Sequence, residues 1–248
     1  MLTVAFALLW VPFGQHEFLV AHWMKLGVFM APFLLFAMFV FDTRRPLALF
    51  RDASFLAILM LVAYIVHQAE EHWVDLTGQS YAFHAYVNHM LADVLGATQE
   101  TEYLTETGVF VVNTSLVWLV GSLAILLGRG QLFPVLCMAA LILVNGVSHT
   151  AAAFLSGEYN PGLVTAVFPF LPLSVWVFWL FWKMNYDIVL ASVGWAMAAH
   201  GLLIGGAILS SSGSWFSESL YFLSLVGMSI IPVVIRFEEP VASPPPTP

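Results

Sequence analysis

Ala63-Tyr64-Ile65-Val66-His67-Gln68-Ala69-Glu70-Glu71-His72-Trp73 closes an apolar run that begins at Phe55. The run to Val66 is most of a membrane helix, and four ionisable side chains then arrive between His67 and His72. Charge at membrane depth costs about 2.5–3.5 kcal/mol per residue at a helix centre. On a continuous helix His67, Glu70 and Glu71 stand at i, i+3 and i+4, so they share one face. An imidazole and two carboxylates on one stripe can hold a divalent cation or share protons.

Composition places this stretch in a membrane protein. Of 248 residues, 60% are hydrophobic and 9% charged, against about 25% charged in a soluble domain. The mean hydropathy of +0.90 exceeds what a soluble core absorbs. A net charge of −8 with 7 basic residues offers no stripe for phosphates, so nucleic acid is excluded as a partner. The single cysteine, Cys137, lies in an apolar run and excludes internal disulfides and thiolate zinc clusters. Any metal must use His, Glu, Asp or Asn.

The expected fold is all-α: a polytopic transmembrane bundle of seven or eight helices, forming one domain over residues 1–237. A proline-rich tail, 238–248, is expected to be disordered. Residues 2–12 are apolar but short of the ~20 residues a span needs. They lack a positive n-region and a small-residue cleavage site, so they read as retained. The other apolar runs are Phe18–Phe41, Ala53–Trp73, Gly108–Leu127, Leu132–Leu155, Gly162–Trp182, Ile188–Leu209 and Leu220–Ile235. Between Asp75 and Glu106 lies a polar interval with no Lys or Arg, within which Tyr81–Leu95 reads as an interfacial amphipathic helix. Alternating the helices puts Arg44, Arg45, Arg51, Arg129, Lys183 and Arg236 on one side and Lys25 on the other. The positive-inside rule makes the basic side, with the C-terminus, cytoplasmic.

That topology gives each unusual polar residue a depth. His67, Glu70 and Glu71 end one helix on the outer side, and Asn113 lies near the outer start of the next. Asn145 and His149, at i and i+4, lie near the outer end of the following helix. Tyr159 and Asn160 form the connection after it. His84 and His89 lie in the outer interval, and His16 and His22 near the outer start of the first long helix. Only His200 sits nearer mid-membrane. The reading is a polar cavity in the outer half of the bundle. Two histidines from different helices plus a carboxylate match a catalytic zinc site with one open position, supplied by His67, Glu71 and His149. Glu70 then activates water, as a glutamate does in H-E-x-x-H enzymes. The analogy is loose: H-x-x-E-H needs His at i+4, whereas His72 lies about 140° around from His67. Structural roles compete throughout. The His/Glu cluster can fix packing, although burying two acids for that alone is costly. Asn145, His149 and His200 can be interhelical hydrogen-bonding groups. The interfacial histidines can be ordinary solvated side chains, with Asn88 and Asp93 as partners of His84 and His89. Tyr159-Asn160-Pro161-Gly162 reads first as a turn and helix start.

The string His67-Gln68-Ala69-Glu70-Glu71 resembles the H-x-x-E-E signature of the HXXEE domain family of polytopic membrane proteins. The resemblance runs from about Ala53 to about Leu209 and takes in Asn145–His149 and Tyr159-Asn160-Pro161-Gly162. It implies a membrane helical bundle and carries no settled activity. The expected function is a metal-dependent membrane hydrolase, with zinc first and iron second, acting on a lipidic or apolar small substrate among membrane lipids. A non-haem iron oxidoreductase and a proton-coupled transporter are the alternatives. A di-iron centre fits less well, since no E-x-x-H occurs among the membrane helices. Within the motif Glu71 is the expected ligand, one turn from His67, and Glu70 the expected proton acceptor. Glu70→Gln should then keep metal and lose activity.

Overall fold

The structure is a computed structural model that describes residues 17–41, 49–96, 101–182, 186–213 and 215–237. The expectations for residues 2–12, His16, Arg44, Arg45, Lys183 and the 238–248 tail fall outside the described residues. Among the described residues there are eight helices and no strand. In chain order these are α1 (Glu17–Phe41), α2 (Ala53–His72), α3 (Ala82–Leu95) and α4 (Glu106–Leu127), then α5 (Leu132–Ser156), α6 (Leu163–Phe181), α7 (Tyr186–Ser211) and α8 (Glu218–Val234). Six of them are long and apolar enough to cross a membrane. The architecture is that of a multi-pass membrane protein. The seventh apolar helix, α8, has 17 residues, and α3 is the short amphipathic helix expected in the polar interval.

The helix limits follow from local chemistry. Asp52 caps α2 by accepting from Phe55 N at 2.9 Å, and Thr105 caps α4 by accepting from Gly108 N at 2.9 Å. Gly96 and Gly157 end α3 and α5 in the left-handed conformation that glycine adopts without strain. Two helices carry a wide π turn, at Asn113–Leu119 in α4 and at Ala166–Phe170 in α6. Pro169 lies inside the second, where its missing N–H breaks the regular ladder. Such turns recur at functional sites because they re-aim the side chains around them.

Helix α5 is the axis of the bundle: α2, α4, α6, α7 and α8 all pack on it, and its first half, Leu132–Ile142, is wholly buried. α2 lies between α5, α4 and α1. α1 and α6 are largely exposed, with Phe29, Phe33, Phe36, Phe168 and Trp179 on the surface, as lipid-facing helices are. Close helix approach uses small residues. Gly121 of α4 faces Leu61 of α2, and Gly206 of α7 faces the Tyr221 ring of α8. The Tyr221 hydroxyl donates to Leu203 O at 3.0 Å, which locks α8 onto α7. At the end of the bundle away from His72, Arg129 Nε meets Asp52 Oδ2 at 3.2 Å, and Arg236 lines a cleft with Gly130 and Gln131.

A Cβ at Gly206 would stand 2.5 Å from Tyr221 Cδ2. Gly206→Val should therefore loosen α8 and destabilise the bundle by about 1–3 kcal/mol. The check is a denaturation midpoint in detergent, with Gly205→Val as the control because a Cβ there meets nothing within 4 Å.

Candidate metal centre

The last turn of α2 delivers His67, Glu70, Glu71 and His72, all buried. α5 delivers His149, also buried, from the neighbouring helix. The Glu71 carboxylate is where they meet. Its Oε1 lies 3.3 Å from His67 Nε2 and 3.1 Å from His149 Nε2, and its Oε2 lies 3.4 Å from His72 Nε2. Ligand atoms of His67, Glu71 and His149 all fall within 4.8 Å of one another. Tetrahedral ligands about 2.0–2.1 Å from a zinc ion are about 3.3 Å apart, the spacing seen on both sides of Glu71 Oε1.

The hydrogen-bond network places a proton on the Nδ1 of His67 and of His149. Thr165 Oγ1 donates to the Glu70 carboxylate, which only accepts, so Thr165 accepts from His67 Nδ1–H at 2.8 Å. Asn160 Nδ2 donates to His149 O at 3.0 Å, which orients the amide so that its Oδ1 accepts from His149 Nδ1–H at 2.6 Å. Each Nε2 is turned toward the Glu71 carboxylate, where a neutral ring offers a lone pair. His67 Nε2 approaches Oε1 closely, yet among the described residues this buried atom has no hydrogen-bond partner. With both rings neutral, two nitrogen lone pairs and an anionic oxygen repel unless a proton or a metal cation stands among them. The donor set is two histidines and one carboxylate, with each His held through its other nitrogen, as ligating histidines are.

His72 is reached from a different anchor. The Trp118 indole can only donate, and it gives its proton to Gln68 Oε1 at 2.9 Å. Gln68 Nε2 must then donate to Asn113 Oδ1 at 3.0 Å, which turns the Asn113 amide nitrogen toward Val109 O and, at 3.3 Å, His72 Nε2. The orientation of every amide in this chain follows from one indole. Asn113 begins the π turn of α4, which brings it to this position.

Glu70 has another task. Its Oε1 accepts from Tyr159 Oη at 2.9 Å and Val164 N at 3.1 Å, and its Oε2 accepts from Thr165 N at 2.8 Å and from the Thr165 hydroxyl. The residue before α6 is Gly162, which has no side chain to cap with, so Glu70 caps the helix from α2. Burial, with the neighbouring Glu70 and Asp75 charges, holds the Tyr159 hydroxyl well above its ordinary pKa although Leu76 N donates to it, so it stays a donor to Glu70. Gly162 itself (φ +94°) closes over the cluster: a Cβ there would stand 2.7 Å from His67 Cε1, 2.9 Å from Glu71 Cγ and 3.0 Å from His149 Cε1. Each polar residue of Tyr159-Asn160-Pro161-Gly162 therefore serves the site: Tyr159 holds Glu70, Asn160 holds His149, and Gly162 leaves room. Phe170, from the π turn of α6, lies against His67 with ring centroids 4.4 Å apart.

Beside Glu71 lies a buried cavity of ≈ 40 Å³, lined among others by Tyr64, Asn113, Asn145 and His200. It has room for one or more waters, each needing at least ~10–15 Å³. Asn145 Oδ1 is buried and unpartnered among the described residues, and His200 Nδ1 donates to Ala196 O at 2.9 Å. The expected supporting residues thus divide. Asn113, Asn145, Tyr159 and Asn160 surround the cluster. His84 instead binds Leu104 O at 2.7 Å and Glu102 at 3.1 Å, and Asn88 clamps the same loop through Tyr103 N and Leu104 N. His89 is an exposed partner of Asp93 at 3.4 Å. His22 stacks edge-on against Phe18. Gln68 and Thr165 were not assigned to the site from the sequence, and His72 and Gly162 were named there without a role in it.

Residues 58–177 match the family model described as HXXEE, protein of unknown function with HXXEE motif, so this part of the chain is an HXXEE-family region. It contains every member of the cluster. No curated protein and no solved structure matches the chain.

Gly162→Ala tests the closure over the cluster. The positive φ alone costs about 1–3 kcal/mol, and the methyl group also displaces His67 or His149. A drop in the thermal midpoint is expected. Gly157→Ala, which shares the positive φ but meets nothing within 4 Å, should fall less.

Proposed function

We propose that His67, Glu71 and His149 hold one divalent cation, with zinc preferred, and that the protein is a metal-dependent membrane enzyme. The chemistry is hydrolysis or a related water-dependent step on a lipidic or apolar small substrate. The observation that carries the metal is the convergence of buried ligand atoms of His67, Glu71 and His149 within 4.8 Å of one another, with His67 Nε2 unpartnered among the described residues. When bound, such a cation polarises a carbonyl or lowers the pKa of water. The chain's own residues supply the rest. Thr165 and Asn160 hold the ligand rings, Gly162 and Phe170 shield them, and the cavity beside Glu71 gives water a place. Glu70, saturated by four donors, is proposed as a positioning residue acting through Thr165 rather than the water-activating base that its place in the motif implied. With Arg51, Arg129 and Arg236 taken as cytoplasmic, the site lies in the outer half of the membrane.

A second reading rests on the same donors. Two histidines and one carboxylate with open positions also form the facial triad of non-haem iron oxygenases. Bound iron in the freshly purified protein, with oxygen consumption dependent on an apolar co-substrate, would favour it.

Metal analysis of the full chain in nanodiscs decides the cation. Wild type should carry about one zinc per chain, and Glu71→Gln or His149→Ala should weaken retention about tenfold or more. Thr165→Val and Glu70→Gln leave all three ligands in place but free the His67 ring, and should weaken metal in chelator competition by about 10–100-fold. Wild-type affinity in both would return Glu70 to the role of base. A metal-free wild type that takes up no added zinc would end the metal reading.

A further inference from the structure

A second cavity of ≈ 200 Å³ opens on the far side of His72. Its two walls differ in chemistry. α1 supplies an apolar wall with Val20, Ala21 and Met24, while His72, His84 and Glu106 supply a polar one. α1 is a surface helix, with Phe18, Phe29 and Phe33 more than half exposed, so the apolar wall is continuous with the membrane-facing surface. His72 joins the cavity to the cluster: its Nε2 lies 3.4 Å from Glu71 Oε2. Val109 lines both this cavity and the smaller one beside Glu71. Tyr81, at the rim, has φ +57°, an outlier for a bulky residue, and strain of that kind gathers at ligand clamps. The loop before it is held by Asp75, whose Oδ1 accepts from Thr77 N and Gln79 N.

We propose that this vestibule is the lateral entrance and head-group subsite for a neutral single-chain amphiphile whose head carries an ester or hydroxyl group. This rests on the metal-enzyme reading and names its substrate class. The volume argues for partial occupancy, since whole ligands fill about 300–1,000 Å³. The vestibule takes the polar end, and the chain stays along α1 among the lipid. Charge selects the head. The polar wall holds the Glu106 carboxylate, Glu102 pairs with His84 beside it, and the interval from Asp75 to Glu106 contains no Lys or Arg. An anionic head meets like charge at low dielectric, whereas an ester or hydroxyl can exchange hydrogen bonds with His72, His84 and Tyr81.

The test uses the full chain in nanodiscs and two diazirine-tagged probes of equal chain length, a monoacylglycerol and a fatty-acid anion. The monoacylglycerol should label peptides containing residues 20–24 and 81–85, with the anion at least about tenfold weaker there. Ala21 is exposed, so Ala21→Trp fills the vestibule without entering the packed core, and Ala85→Leu narrows it from the opposite wall. Both should cut that labelling while leaving zinc content at the wild-type level. Labelling spread evenly over lipid-facing helices, labelling unchanged in both variants, or equal labelling by the anion each overturns the proposal. Metal content is read on the same samples, so labelled but metal-free wild type would sink the metal reading and leave the vestibule standing.

Discussion

One buried carboxylate meets three imidazole nitrogens, and the structure around the end of α2 is arranged to let it. Glu71 lies between His67 and His72 on the helix, and its two oxygens divide the work: Oε1 faces His67 and His149, Oε2 faces His72. An uncompensated carboxylate in a bundle interior is strongly unfavourable, so Glu71 requires a proton or a metal cation among the imidazole nitrogens around it. The hydrogen bonds to His67 and His149 engage the opposite edges of those two rings, whereas Asn113 reaches the same His72 Nε2 that faces Glu71. This orientation leaves the inner edges of His67 and His149 to a cation.

The helices that meet here bring their irregularities with them. α4 widens at Asn113 and α6 at Ala166, and Gly162, at a positive φ that only glycine adopts freely, stands at the head of α6. A regular α6 capped by its own serine or aspartate would have no need of Glu70. Capping from α2 instead ties the start of α6 to the motif, so that Thr165 reaches His67 and Phe170 covers it. The four-residue turn at Tyr159 and the H-x-x-E-E string thus form one unit though they are far apart in sequence.

Much of this was legible in the residues. Hydropathy placed the described spans to within a few residues, because a membrane core demands long apolar helices and the capping residues are local. The i, i+4 spacing of His67 and Glu71 and the depth of His149 were enough to bring the three together. The roles of the neighbours were less visible. Angular position on a wheel separates His72 from His67, yet it does not show that a carboxylate between them can reach both ways. Glu70 sits on the metal-facing stripe by spacing, but its partners are backbone amides of a helix more than ninety residues later, which no local pattern reveals. Gln68 stands at an unspecified position of the H-x-x-E-E string, and its meaning depends on a donor-only indole at Trp118. His84 and His89 were expected at the depth of the site but lie away from it, because α3 uses them to hold its own loop and surface.

X-ray absorption at the zinc edge of the purified, membrane-embedded chain tests the central claim most directly. A first shell of two imidazole nitrogens and one carboxylate oxygen at about 2.0–2.2 Å, with the remaining position taken by water, is the predicted spectrum. It should lose one imidazole in His149→Gln. A spectrum with no imidazole, or one unchanged by that substitution, would contradict the account and leave Glu71 as a packing group.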